Sequence, residues 1–193
     1  MAKNNKSEKF RELARSRVNR AINMIRLIAN LGNKAHYDYT SEQARKIVEK
    51  GYTALKFDPF GNAYMGLSRY ETSEVKDLVS AVREAVGKNV YIMIEGHDRF
   101  PVRSAIEIGH WLKDYEVTWF ETSTVSNDVN ALVEVGKSVP VRIIAGERMH
   151  YLHEFAIFLS SNIKDIINPE PTAIGGIWKS IQVASIADHI MHK

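Results

Sequence analysis

The sequence contains no cysteine among its 193 residues. Disulfide frameworks, thiolate metal sites and cysteine nucleophiles are therefore excluded, and any metal must sit on oxygen or imidazole. Long apolar runs are missing as well. None approaches the roughly 18 to 20 residues that a membrane span needs, and the opening MAKNNKSEKF lacks the apolar core of a secretion signal. A reducing, cytoplasmic location without membrane contact is the expectation. With 45% hydrophobic and 25% charged residues, neither a disordered chain nor a fibre fits. The length suits one large domain, or a medium domain with an appendage.

A strong excess of one charge is also absent overall, since the formal net charge is only +3. The distribution is uneven, however. Residues 1–34 carry nine Lys/Arg against two Glu, which makes a basic head on a mildly acidic body. From Ser7 to Leu31 the apolar residues Phe10, Leu13, Ala14, Val18, Ala21, Ile22, Ile25, Ile28 and Ala29 recur at helical spacing. This predicts an amphipathic basic helix that ends at Gly32. Such a face is either simply solvated or able to meet nucleic acid or an acidic surface. A second helix, Ser41 to Lys50, is predicted behind Thr40, with Gln43 completing a capping box.

Beyond Gly51 the pattern changes to a repeated unit of an apolar run, a polar loop and a helical stretch. Strands are predicted at 52–57, 90–95, 117–121, 141–147 and 163–168, and helices at about 73–86, 101–115, 127–138, 151–161 and 175–190. Strands that alternate with helices of this length imply βαβ units and a parallel sheet. The fold class is α/β, with residues 1–38 as a separate basic segment and 39–193 as the repeating body.

Three carboxylates stand out in that body. Glu95, Glu121 and Glu147 are each expected at the C-terminal end of an otherwise apolar strand, at the same height, with equal intervals of 26 residues. On successive parallel strands they would converge at one mouth of a barrel, where the active sites of (β/α)₈ enzymes lie. A triple carboxylate needs a cation, and an all-oxygen donor set suits Mg²⁺. His97, two residues after Glu95, would point to the same side if its strand continued that far. Lys56, with Asp58 two residues on, occupies the matching end of the first strand. Beside the carboxylates, His97 and Lys56 become candidate proton carriers.

These residues resemble a family. KFDPFG, IMIEGHDRF, WFE, AGERMHYLHEF and INPEPTAIGGI are similar to the barrel strands of the enolase superfamily, mandelate racemase/muconate lactonizing branch, and most of all to its acid-sugar (galactonate-type) dehydratases. The resemblance runs from about Ser41 to the C-terminus. It implies an incomplete (β/α) barrel of about five parallel strands. It also implies that Glu95, Glu121 and Glu147 bind Mg²⁺, which stabilises the enediolate formed when a proton is taken from the carbon α to a carboxylate. His97 matches the histidine that expels the β-hydroxyl as water. Glu170, in NPEP, stands where the family usually carries an Asp that orients a catalytic His on the next strand.

The pattern departs from the family in places. Its common WFEEP reads Trp119-Phe120-Glu121-Thr122-Ser123 here, and Asp58 replaces the second lysine that often follows the first. The five strands correspond to the second through sixth of a full barrel. The strand bearing the family's His base and the capping domain have no counterpart, since His189 and His192 fall in the last helix and tail. Two readings follow. One is a Mg²⁺-dependent acid-sugar dehydratase-like protein of impaired activity, forming a homodimer over its open sheet edges. The other is a non-catalytic remnant that binds a partner or nucleic acid through Arg11, Arg15, Arg17 and Arg20.

Overall fold

The computed structural model describes residues 45–191 apart from 47, 126–127, 162 and 164–165. The basic segment 1–38, and with it the amphipathic helix expected there, lies outside the described residues, as does most of the expected helix Ser41–Lys50. That second helix is described at its last turn, where the Gly51 N–H donates to Val48 O at 2.8 Å.

Five strands follow in chain order: β1 (Ala54–Phe57), β2 (Tyr91–Glu95), β3 (Val117–Glu121), β4 (Arg142–Ala145) and β5 (Ile166–Ile167). All neighbours are parallel, and the sheet order equals the chain order. Between them run α1 (Arg69–Val86), α2 (Val102–Leu112), α3 (Val129–Ser138) and α4 (Leu152–Ser160). A short α5 (Pro171–Ile174) and the longer α6 (Ile177–Met191) come after β5. The result is an incomplete (β/α) barrel, as the repeating pattern predicts. Among the described residues, β1 and β5 are its two unjoined ends. No helix among them is long and apolar enough to cross a membrane.

Strand alternation sorts the side chains into two faces. Ile92 and Ile94 of β2, Phe120 of β3, and Ile143 and Ala145 of β4 point outward to the helices, and all five are fully buried. The helices meet them with residues three and four apart: Val75, Leu78, Val79, Val82 and Val86 on α1, Ala105, Ile108, Gly109 and Leu112 on α2, Leu132 and Val135 on α3. Each large side chain removed from water here contributes about 1.5 to 3 kcal/mol, so the core lies between the sheet and its helices. The inner face carries the other set: Lys56, Met93, Glu95, Trp119, Glu121 and Ile144. The chemistry of the chain is on this second face.

Helix α1 begins at Arg69, four residues before the predicted start. Ser68 caps it: its Oγ accepts from the Glu71 N–H at 3.2 Å, while Glu71 Oε2 accepts from the Ser68 N–H at 2.8 Å. Arg83, near its other end, donates to the carbonyls of Tyr115, Gly87, Val90 and Glu116 at 2.8 to 3.0 Å. The guanidinium thereby joins the end of α1 to the approaches of β2 and β3.

Candidate metal centre

Glu95 closes β2, Glu121 closes β3, and the two are direct partners in the ladder. They leave the inner face at one height, only 5% and 2% exposed. Two buried carboxylates side by side repel unless a positive charge accompanies them. Lys56 supplies one. It lies one strand across, opposite Met93, and its Nζ donates to Glu121 Oε2 at 2.8 Å and to Glu95 Oε2 at 3.3 Å. Partial burial pulls the Lys56 pKa down, but hydrogen bonds and charge from Glu121 and Glu95 outweigh it and hold the ammonium above the ordinary lysine value.

Glu147 reaches the same place by another route. In the ladder, Glu121 stands opposite Ile144, so Glu147 is three residues beyond that level and two past the end of β4. Gly146 turns the chain there with φ +137°, and a β-carbon on it would lie 3.0 Å from Asn168 N. The left-handed conformation and the close backbone both call for glycine. The turn brings the exposed Glu147 carboxylate back over the sheet, and one oxygen from each of Glu95, Glu121 and Glu147 lies within 4.8 Å of the others.

The donors fit a hard divalent cation. Mg²⁺ takes oxygens at about 2.0 to 2.1 Å, which limits two of its ligands to about 4.2 Å apart. Glu147, the one exposed member, is the carboxylate with freedom to adjust. Among the described residues no nitrogen or sulfur ligand joins the cluster, and carboxylate oxygens favour Mg²⁺ or its hard relatives.

On the two buried carboxylates of this triad, the Oε1 atoms are already engaged. Glu95 Oε1 accepts from the Thr122 hydroxyl and from the His97 N–H, the latter at 3.0 Å. Glu121 Oε1 accepts from the Asn168 side-chain amide. Thr122 and Asn168 were not singled out in the sequence. Asn168 had a signal, a polar residue closing an apolar strand just as Glu95 and Glu121 do. Thr122 had one only in retrospect, as the departure from WFEEP.

His97 does not continue β2. The strand ends at Glu95, and His97 and Asp98 adopt φ +53° and +56°, so the chain turns and the His97 backbone faces Glu95. Its ring crosses to the loop just past β1, where Nδ1 is 2.9 Å from Asp58 Oδ2. That hydrogen bond raises the His97 pKa; partial burial opposes it, the charges of Glu95 and Asp58 add to it, and Arg99 subtracts. Arg99 fixes the arrangement. It pairs with the same Asp58 oxygen and donates to Gly96 O at 3.1 Å and Gly61 O at 2.7 Å. Asp58 Oδ1 in turn accepts from the Phe60 N–H at 3.0 Å. Glu170 stands apart as the cap of α5. Its Oε1 accepts from Thr172 Oγ1 at 2.6 Å and from Thr172 N–H at 3.0 Å, which lowers its pKa. The structure thus brings together Lys56, Glu95, Glu121 and Glu147, places His97 at their edge, and engages Glu170 at its own helix.

Known proteins match the chain over most of its length. A family model described as enolase C-terminal domain-like matches residues 39–191. The chain is 34% identical over 148 residues to a D-gluconate dehydratase of Thermoproteus tenax, covering 77% of this chain and 30% of that protein. It is 30% identical over 151 residues to a D-gluconate/D-galactonate dehydratase of Picrophilus torridus, covering 78% and 38%. Among solved structures, a mandelate racemase/muconate lactonizing enzyme from Sulfitobacter sp. superposes with TM-score 0.73 at 30% identity, over 83% of this chain and 44% of that one. The chain therefore spans about a third of the length of these curated relatives.

Proposed function

The chain belongs to the enolase C-terminal domain-like family, in its mandelate racemase/muconate lactonizing branch, and we propose that it is a Mg²⁺-dependent protein of the acid-sugar dehydratase type. The observation that carries this reading is the convergence of Glu95, Glu121 and Glu147 within 4.8 Å, with His97 on the loop directly after Glu95. Relatives that act on gluconate and galactonate indicate an aldonate as the substrate class.

Taking a proton from the carbon α to a carboxylate is slow because negative charge accumulates on that carboxylate. A bound Mg²⁺ supplies positive charge where it grows. The chain's own residues do the rest. Glu95 and Glu121 would hold the ion from a rigid ladder, and Glu147 would complete the set from its loop. Asp58 and Arg99 position the His97 ring. Once a base has taken the α-proton, His97 gives its proton to the departing β-hydroxyl, which leaves as water, and the enol left behind takes up a proton at the β-carbon to become a 2-keto-3-deoxy acid. Lys56 is held as an ammonium by two carboxylates and accepts a proton only after leaving them. With His97 as the acid and Lys56 so engaged, the base is the weak element, and we expect slow turnover by this chain alone.

The test is to incubate the chain with D-gluconate or D-galactonate and measure 2-keto-3-deoxy acid with Mg²⁺ or with EDTA. Slow formation that requires Mg²⁺ and disappears in His97→Ala is the expected outcome. Product formation that is equal in EDTA, or unchanged in His97→Ala, would overturn the reading.

A further inference from the structure

Lys56 donates to Glu95 Oε2 and Glu121 Oε2, and these two atoms have a particular status. On Glu95 the other oxygen is taken by Thr122 and the His97 N–H; on Glu121 it is taken by Asn168. The neutral donors thus leave one open oxygen on each buried carboxylate, and Lys56 engages both. A divalent ion bound through these two more open oxygens would lie at about 2.0 to 2.6 Å from each. Lys56 Nζ already sits on that pair, 2.8 Å from Glu121 Oε2 and 3.3 Å from Glu95 Oε2, and an ion and an ammonium drawn to the same two oxygens repel each other.

We infer that Lys56 is a built-in competitor of the divalent cation, an ammonium that neutralises Glu95 and Glu121 and must swing away before both can ligate an ion. This rests on the metal-binding reading above. Two features make the exchange feasible. The Lys56 side chain is 43% exposed, so it has a path to solvent, and its flexible four-carbon stem lets the head leave without moving β1. The device stabilises the metal-free chain and weakens the ion, because the apparent dissociation constant is the intrinsic one divided by the fraction of molecules with both oxygens open. If Lys56 holds them in nine molecules of ten, the loss is about tenfold.

The experiment is a calorimetric titration of the full chain with MgCl₂ in wild type, Lys56→Gln, Lys56→Arg and Glu121→Gln, with melting curves in EDTA and in saturating Mg²⁺. Lys56→Gln removes the charge, and we expect Mg²⁺ to bind it about tenfold more tightly than wild type. Lys56→Arg, whose planar fork grips carboxylates more firmly, should bind Mg²⁺ more weakly than wild type. The Lys56→Gln chain should melt below wild type in EDTA, and the gap should narrow in Mg²⁺. Equal or weaker Mg²⁺ binding by Lys56→Gln, with binding lost in Glu121→Gln, would overturn the competition and leave the metal reading intact. Absence of binding in every variant and in wild type would overturn both. Should Lys56→Gln fail to fold, Lys56→Arg decides alone, and affinity equal to or above wild type overturns the inference.

Discussion

Gly96 sits between the first metal-ligand candidate and the proposed acid, and a β-carbon there would lie 2.8 Å from Thr122 O and 2.9 Å from Phe120 Cε2. The backbone cannot retreat freely, because the Gly96 N–H donates to Glu121 O at 2.8 Å and holds the ends of β2 and β3 together. Gly96→Ala is expected to cost about 1 to 3 kcal/mol of stability, as overpacking does, and to weaken Mg²⁺ binding by spreading Glu95 from Glu121. Urea unfolding and calorimetric titration of the same variant check both halves. The exposed Glu147 should separate them. Glu147→Gln is expected to weaken Mg²⁺ binding while changing stability by less than about 0.5 kcal/mol, the usual range for surface substitutions. A stability loss comparable to that of Gly96→Ala would show that Glu147 has a structural role instead.

Helix starts were harder to read from the sequence than helix existence, and α1 shows why. The apolar stripe of α1 begins at Val75, so periodicity places the helix near residue 73, whereas the start at Arg69 is dictated by the reciprocal Ser68–Glu71 bonds. The Ser-x-x-Glu signature was present, but it precedes the stripe by more than one turn. Ser68→Ala is expected to destabilise the chain by about 1 kcal/mol, a typical cap contribution. The Glu71 half depends on pH. Bonds from the Ser68 backbone, and then the Ser68 side chain, hold the Glu71 carboxyl below the usual range. A depressed folded pKa means that the stabilisation is present above the unfolded value and disappears as pH falls through the folded one. The stability difference between wild type and Glu71→Gln should therefore be constant near neutrality and shrink in acid, in paired melts across pH. A difference that grows on acidification would reverse the sign of the argument.

The order of strands and the parallel sheet were legible in the alternation of apolar runs with helical stretches, because short hydrophobic strands buried against helices have few other ways to be covered. Site geometry was legible only in part. Glu95, Glu121 and Glu147 do converge, yet the equal intervals conceal two different geometries. Glu121 faces Glu95 across the ladder, while Glu147 is carried three residues past the level of Glu121 and returned by Gly146. Spacing along a chain does not reveal strand offset, so that detour was invisible. The clamp of Arg99 on Asp58 was equally hidden, since nothing in DPFG or HDRF indicates that they meet. The sheet ends left unjoined among the described residues, with Ile177, Trp178 and Ile181 at least half exposed on α6, lead to a further expectation. The chain should sediment as a homodimer at micromolar concentration, and Trp178→Glu should shift it toward the 21.9 kDa monomer. A wild-type monomer across that range would refute this.

The detour through Gly146 also bears on how the protein tolerates changes in length. Glu95 and Glu121 are fixed by where their strands end, so residues inserted at the far end of α3 would lengthen a loop and leave both carboxylates where they are. One residue inserted beside Gly146 would displace Glu147 and touch no rung of the sheet. The third ligand is thus the one that lineages or designers could reposition cheaply, retuning ion size and affinity by loop length while the two buried carboxylates stay in place.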